Sequence, residues 1–256
     1  MRRLSNLAMA CLGAVAMLSF SGVTMAGEGG VTVNVANGKN IFENGKADAG
    51  IAPCQSCHGE KALGIDAMGT PRLANLGYVY VVKQLTNFAE DKRIGTEVGV
   101  VMNGFAKSLS EQERRDVAAY VNTLPKAAEP SDLAALKADG KAVGEPYKGK
   151  IVVQFGDNGR VSACISCHAY NGRGADPVYP KIGQQKYVYL VNQLTHWREG
   201  SRANDPMGQM RAVAKNLTDA DIINVAAFLS QTTESTPGNG MEVGNQSVLE
   251  NIQKHH

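Results

Sequence analysis

The five residues Cys54-Gln55-Ser56-Cys57-His58 constrain this chain more than any other stretch, and they recur as Cys164-Ile165-Ser166-Cys167-His168. In C-x-x-C-H the two thiols can form thioethers to the vinyl groups of one haem, while the adjacent histidine ligates its iron. A zinc knuckle or a redox dithiol also uses C-x-x-C. Two copies about 110 residues apart, each with His next and each followed by a related downstream pattern, favour covalent haem at both. The chain must then fold around its cofactors. Its 256 residues suit one or two domains, and with only 6% aromatics a buried haem would supply missing apolar bulk.

The start of the chain reads as a secretory signal. Arg2 and Arg3 precede an apolar run over residues 7–20, and Thr24-Met25-Ala26 is a small-x-small cleavage pattern before Gly27. A membrane anchor would need roughly 20 apolar residues. Cys11 lies inside the run, so removal of residues 1–26 leaves four cysteines, all of them in the two motifs. No cysteine remains for structural disulfides. The remaining chain carries 24 basic and 24 acidic residues, which gives no field for a nucleic-acid partner. The charge is uneven: residues 148–215 hold 10 basic and 4 acidic side chains, against 8 and 7 in residues 39–107.

Beyond the motifs the chain repeats itself. Residues 78–86, Tyr-Val-Tyr-Val-Val-Lys-Gln-Leu-Thr, match residues 187–195, Tyr-Val-Tyr-Leu-Val-Asn-Gln-Leu-Thr, and both open amphipathic helical patterns. A basic residue follows each (Arg93, Arg202), then a methionine-containing stretch, then a capping box: Ser110-x-x-Glu113 and Thr218-x-x-Asp221. Residues 27–35 read as an irregular arm, with a short helix from about Asn37 to Gly45. Residues 126–148, rich in Ala, Lys, Glu, Pro and Gly, read as a linker with one short helical piece, and residues 238–256 as a polar tail.

A haem iron held by one histidine has a further axial position, and the group that fills it separates a carrier from a catalyst. Met102 lies seven residues before Leu109 and Met210 seven before Leu217, each leucine standing just before a cap. The duplication thus selects one methionine per half. Met207 has no counterpart, Met68 reads as core filler, and His196, whose duplicate position is Asn87, reads as a helix-surface residue.

These residues resemble the diheme cytochrome c4 family over nearly all of the chain beyond residue 26. The resemblance rests on the paired haem motifs, Pro71 and Pro180, the Tyr…Gln-Leu helices with Arg93 and Arg202, and the Met-x6-Leu-Ser/Thr segments. It implies an all-α fold of two tandem class I cytochrome c domains, each wrapped around one covalently bound haem c. Expected boundaries are a signal at 1–26, a first domain at 27–125, a linker at 126–148, a second domain at 149–237 and a tail at 238–256. The family pattern implies thioethers at Cys54, Cys57, Cys164 and Cys167, axial ligands His58 and Met102 on one iron and His168 and Met210 on the other, and carbonyls of Pro71 and Pro180 that orient the imidazoles. It also implies a periplasmic electron carrier, soluble or loosely membrane-attached, with no catalytic residue. A donor such as a quinol-oxidising complex would reduce it, and an acceptor such as a terminal oxidase would oxidise it. Two alternatives stand beside this: a diheme subunit of an enzyme complex such as flavocytochrome sulfide dehydrogenase, and a diheme peroxidase with one open iron. The longer N-terminal arm, the linker and the tail depart from the family pattern.

Overall fold

A computed structural model describes residues 25–27, 31–94, 96–126 and 129–232. Most of the expected signal and all of the expected tail lie outside these residues. Nearly all of the described regular structure is helical. Its first half runs α1 (Val35–Asn44), α2 (Gln55–His58), α3 (Tyr78–Ala89), α4 (Val101–Ser108) and α5 (Glu111–Thr123). After α6 (Leu133–Ala138), the second half repeats the order as α7 (Pro146–Phe155), α8 (Ile165–His168), α9 (Tyr187–Glu199), α10 (Gln209–Ala214) and α11 (Asp219–Gln231). The arm is not irregular throughout: β1 (Met25–Gly27) pairs antiparallel with β2 (Val31–Val33), and β1 straddles the expected cleavage point.

Local chemistry sets the helix ends. Helix α1 starts two residues before the expected position because the Asn34 side chain accepts the Asn37 amide at 3.0 Å. Both expected capping boxes form: Glu113 N donates to Ser110 Oγ at 3.2 Å while Ser110 N donates to Glu113 Oε2 at 2.7 Å. In the other half Asp221 N donates to Thr218 Oγ1 at 3.1 Å and Thr218 N to Asp221 Oδ2 at 2.9 Å.

Each half closes where its first and last helices cross, and the crossing needs glycine. A Cβ at Gly38 of α1 would stand 2.0 Å from the Asp116 carbonyl oxygen of α5, and one at Gly149 of α7 would stand 1.9 Å from the Asn224 oxygen of α11. Both obstacles are backbone, so neither can yield without separating the helices. Gly149→Ala should therefore destabilise the second half by about 1–3 kcal/mol or more. A thermal melt of the holo-protein followed by near-ultraviolet dichroism checks this, and an unchanged midpoint would contradict the close crossing.

Two cores result. Ile41, Phe42, Val117 and Val121 centre the first, and Val153, Tyr187, Trp197, Ile222 and Leu229 the second. The segment expected as a linker joins the second core: Leu136 of α6 is 7% exposed within it. Tyr187 Oη donates to the Ala142 carbonyl at 2.7 Å, and Gln231 Nε2 to the Ser131 carbonyl at 2.7 Å. Its apolar content is low, but its backbone carbonyls are used.

The halves meet through reciprocal contacts that follow the duplication. Arg72 Nη1 donates to Gln184 Oε1 at 2.9 Å, and Lys181, at Arg72's equivalent position, donates from Nζ to Asn75 Oδ1 at 2.6 Å. Arg72 N and Gln185 Oε1 lie 2.6 Å apart, with Gln185 Nε2 returning a bond to the Arg72 carbonyl at 2.9 Å. The charge excess of the second half is thus partly spent inside the molecule. Lys186 is 6% exposed and Arg72 1%, so neither can belong to an open basic docking face.

Candidate haem-binding sites

Both haem motifs fold as one helical turn whose last residue is the histidine, α2 ending in His58 and α8 in His168. The turn carries both cysteines and the histidine within five residues, and both imidazoles are buried. His58 Nδ1 lies 3.1 Å from the Pro71 carbonyl oxygen and His168 Nδ1 2.8 Å from that of Pro180. A carbonyl can only accept, so each Nδ1 carries the proton and each Nε2 keeps its lone pair for a metal. Burial holds both imidazoles below their ordinary pKa, against the opposing pull of the proline carbonyls, and so favours the neutral ring that a metal requires.

The four cysteines are unpaired. Burial pushes the thiols of Cys54 and Cys164 up to about 11.

In the second half a cavity of about 390 Å³ gathers the expected residues: Cys164, Cys167, His168, Pro180 and Met210 all line it. The volume is within the about 300–1,000 Å³ of cofactor pockets. Leu190, Leu194, Trp197, Val213, Val225 and Leu229 make most of its wall apolar. Its wall also reaches the neighbouring domain, with Leu76, Tyr80, Lys83 and Gln84 contributing. Apolar walls, two thiols and a tautomer-fixed imidazole on one side, and a thioether from another helix fit a covalently held haem. In the first half His58, Cys54 and Cys57 share α2 and its leading turn, and Pro71 closes on the imidazole. Met102 is half-buried and stands second in α4, as Met210 stands second in α10, each helix following a 3₁₀ turn. Met207 lines the same cavity as Met210, but it is 94% exposed and its backbone is left-handed at φ 56°.

One group of residues at the cavity's interdomain end had been visible in the sequence only as repeat markers. Arg93 donates to Gln84 Oε1 of its own half at 2.8 Å, and across the interface to Gln193 Oε1 at 2.9 Å and Tyr189 Oη at 3.0 Å. Arg202 mirrors this, donating to Gln193 Oε1 of its own half at 2.7 Å and to Gln84 Oε1 and Tyr80 Oη across the interface at 3.4 Å each. Each guanidinium also lies over an aromatic ring of its own half, Arg93 4.5 Å from the Phe88 centroid and Arg202 4.2 Å from that of Trp197. The sequence signal was a glutamine on the buried face of each amphipathic helix. Nearby, His196 is half-buried, not on the open surface, and its ring nitrogens lie 3.0 and 3.2 Å from Thr96 Oγ1 of the other half.

Comparison with known proteins agrees with this geometry. The Cytochrome c family model matches residues 35–125 and again 155–233. A thiosulfate dehydrogenase electron acceptor of Stutzerimonas stutzeri is 30% identical over 203 residues, covering 79% of this chain and 89% of that protein. The crystal structure of reduced recombinant cytochrome c4 from Pseudomonas stutzeri superposes with a TM-score of 0.61 at 30% identity, over 77% of this chain and 98% of that one. Thiosulfate dehydrogenase (TsdBA) from Marichromatium purpuratum superposes with a TM-score of 0.68 at 30% identity, over 80% of this chain but only 42% of that longer one.

Proposed function

Because the chain belongs to the cytochrome c family, as a diheme electron carrier of the cytochrome c4 kind with two covalently attached haems c, we propose that it works in the periplasm between a sulfur-compound dehydrogenase and a terminal oxidase. The cavity that brings Cys164, Cys167, His168 and Met210 together carries the reading of its chemistry. The donor is suggested by relatives named as electron acceptors of thiosulfate dehydrogenase. A quinol-oxidising complex is the competing donor.

Bound haem c supplies a one-electron Fe(III)/Fe(II) couple. The chain's residues fix it and close it. Cys54 and Cys57 would hold one haem by thioether bonds, and Cys164 and Cys167 the other. His58 and His168, oriented by the carbonyls of Pro71 and Pro180, would supply one axial nitrogen each. Met102 and Met210 would supply a thioether sulfur as the further ligand. With His58, Met102, His168 and Met210 as ligands the irons would have no place for a small substrate, and the apolar walls would limit reorganisation as charge changes. The division into domains at 27–125 and 149–237, with the intervening segment packed on the second, belongs to the same proposal.

Two measurements test it. A pyridine haemochrome assay with intact mass should find two covalent haems per chain. Stopped-flow mixing of the ferric protein with a thiosulfate dehydrogenase and thiosulfate should reduce it faster than mixing with a quinol-oxidising complex and quinol. The opposite order would replace the donor and leave the carrier role standing.

A further inference from the structure

The two motif histidines are equally buried, His58 at 6% exposed and His168 at 7%, but the chain covers them by different means. The residue before the orienting proline is Thr70 in the first half and Tyr179 in the second. Thr70 ties its loop down: its hydroxyl accepts the Ile65 amide at 3.0 Å and donates to the Cys57 carbonyl at 2.5 Å. Tyr179 uses its ring instead. The phenol ring and the His168 imidazole form a T-shaped pair, with centroids 6.0 Å apart and planes at 71°. Among the described residues no aromatic ring makes such a contact with His58.

Tyr179 also lines the second-half cavity, beside Cys167, His168 and Pro180. It touches the imidazole and the cavity at once, and being half-buried it meets solvent as well. Its backbone is held independently of the ring, since Ala175 N donates to the Tyr179 carbonyl and Tyr179 N to the Ala175 carbonyl, each at 2.9 Å. A change of side chain can therefore leave the Pro180 carbonyl in place. We propose that Tyr179 is a positioning residue for the second haem alone: its ring keeps water from His168 and so raises the midpoint potential of that haem, with no equivalent on the first. The proposal rests on the two-haem reading above. Ferric haem carries one more positive charge than ferrous haem, and a dry, apolar surrounding penalises the more highly charged state. Water admitted beside the imidazole relieves that penalty and lowers the midpoint. The first half has no ring at this place to lose, so the duplication supplies an internal reference.

The test is a redox titration of the holo-protein, resolved into two midpoints, for Tyr179→Gln, Tyr179→Leu and Tyr179→Phe, with Tyr147→Gln as a control at a tyrosine of the same half that is 75% exposed. The second haem's midpoint is the one that Met210→Ala displaces. Tyr179→Gln, which puts a hydrogen-bonding amide where the ring was, should lower that midpoint and leave the other in place. Tyr179→Phe and Tyr179→Leu, which keep the place apolar, should hold most of the unsubstituted value, and Tyr147→Gln should move neither midpoint. If Tyr179→Gln does not retain its haem, Tyr179→Thr, with the residue of the duplicate position, carries the same expectation. Equal shifts for Tyr179→Leu and Tyr179→Gln would make the residue a packing element and overturn the exclusion of water. Movement of both midpoints together, or of neither, would overturn the restriction to the second haem. A haemochrome count below two in the unsubstituted protein would fail the two-haem reading instead, and a Met210→Ala that displaced neither midpoint would fail the ligand assignment, so these failures are told apart from that of the proposal.

Discussion

Met210→Ala should remove about half of the weak red-edge absorption band that ferric histidine–methionine haem shows, and Met102→Ala should remove the other half. Each substitution opens one iron, so the reduced variants should bind carbon monoxide at one haem per chain, where the unsubstituted protein binds almost none. Met207→Ala should change neither signal. The geometry separates the two methionines of the second half although both line the cavity. Met210 is half-buried within α10, which packs along α9, whereas Met207 sits in a left-handed turn with 94% of its surface exposed. A thioether that solvated cannot hold a ligand position against water without a rearrangement of its turn. Loss of the band on Met207→Ala, with Met210→Ala silent, would reverse the assignment and show that the duplication misled it.

What the sequence made legible was what local chemistry decides. The caps at Ser110 and Thr218 need only a hydroxyl and an acid three residues on, and both form. The helices opening at Tyr78 and Tyr187 follow the apolar spacing that begins there. The haem motifs are local as well, since five consecutive residues set the turn and the histidine, and the matching offsets to Met102 and Met210 survive as matching positions in α4 and α10. The proline carbonyls came only through the family resemblance, and both are at hydrogen-bond distance from their imidazoles.

What was not legible depends on one half covering the other. In the sequence Lys181 and Lys186 counted only toward the basic excess of residues 148–215. In the structure Lys181 reaches Asn75, and Lys186 sits under residue 129, its Nζ 3.2 Å from the Glu129 carbonyl oxygen. Residues 126–148 read as a linker from composition, but Leu136, with Leu133 and Val143 packed beside it, and a few backbone carbonyls join the segment to the second core. Arg93 and Arg202 are the sharpest case. The repeat showed that they correspond, but only the structure shows that their hydrogen bonds cross between the halves.

Cys164→Ala combined with Cys167→Ala should do more than halve the haem content. Without the thioethers the second haem is held by axial bonds alone and should be lost during purification, which leaves the cavity of about 390 Å³ without its filler. At about 24 cal/mol per Å³ of cavity, the cost approaches about 9 kcal/mol, an upper bound because the mouth of the cavity is open. That is comparable with the whole stability of a typical domain, about 5–15 kcal/mol. Trp197, Leu217, Val225 and Leu229 face both this cavity and the second core, so the core should not survive the loss. The variant should therefore carry one haem, keep the first-half signals of His58 and Met102, and be cut by protease throughout residues 146–231, including α7 and α11, which protect each other in the intact protein. The first core does not share those residues, and its fragment should persist with its haem attached. Simultaneous digestion of both halves would mean that the halves fold as one cooperative unit, and would count against the two-domain division.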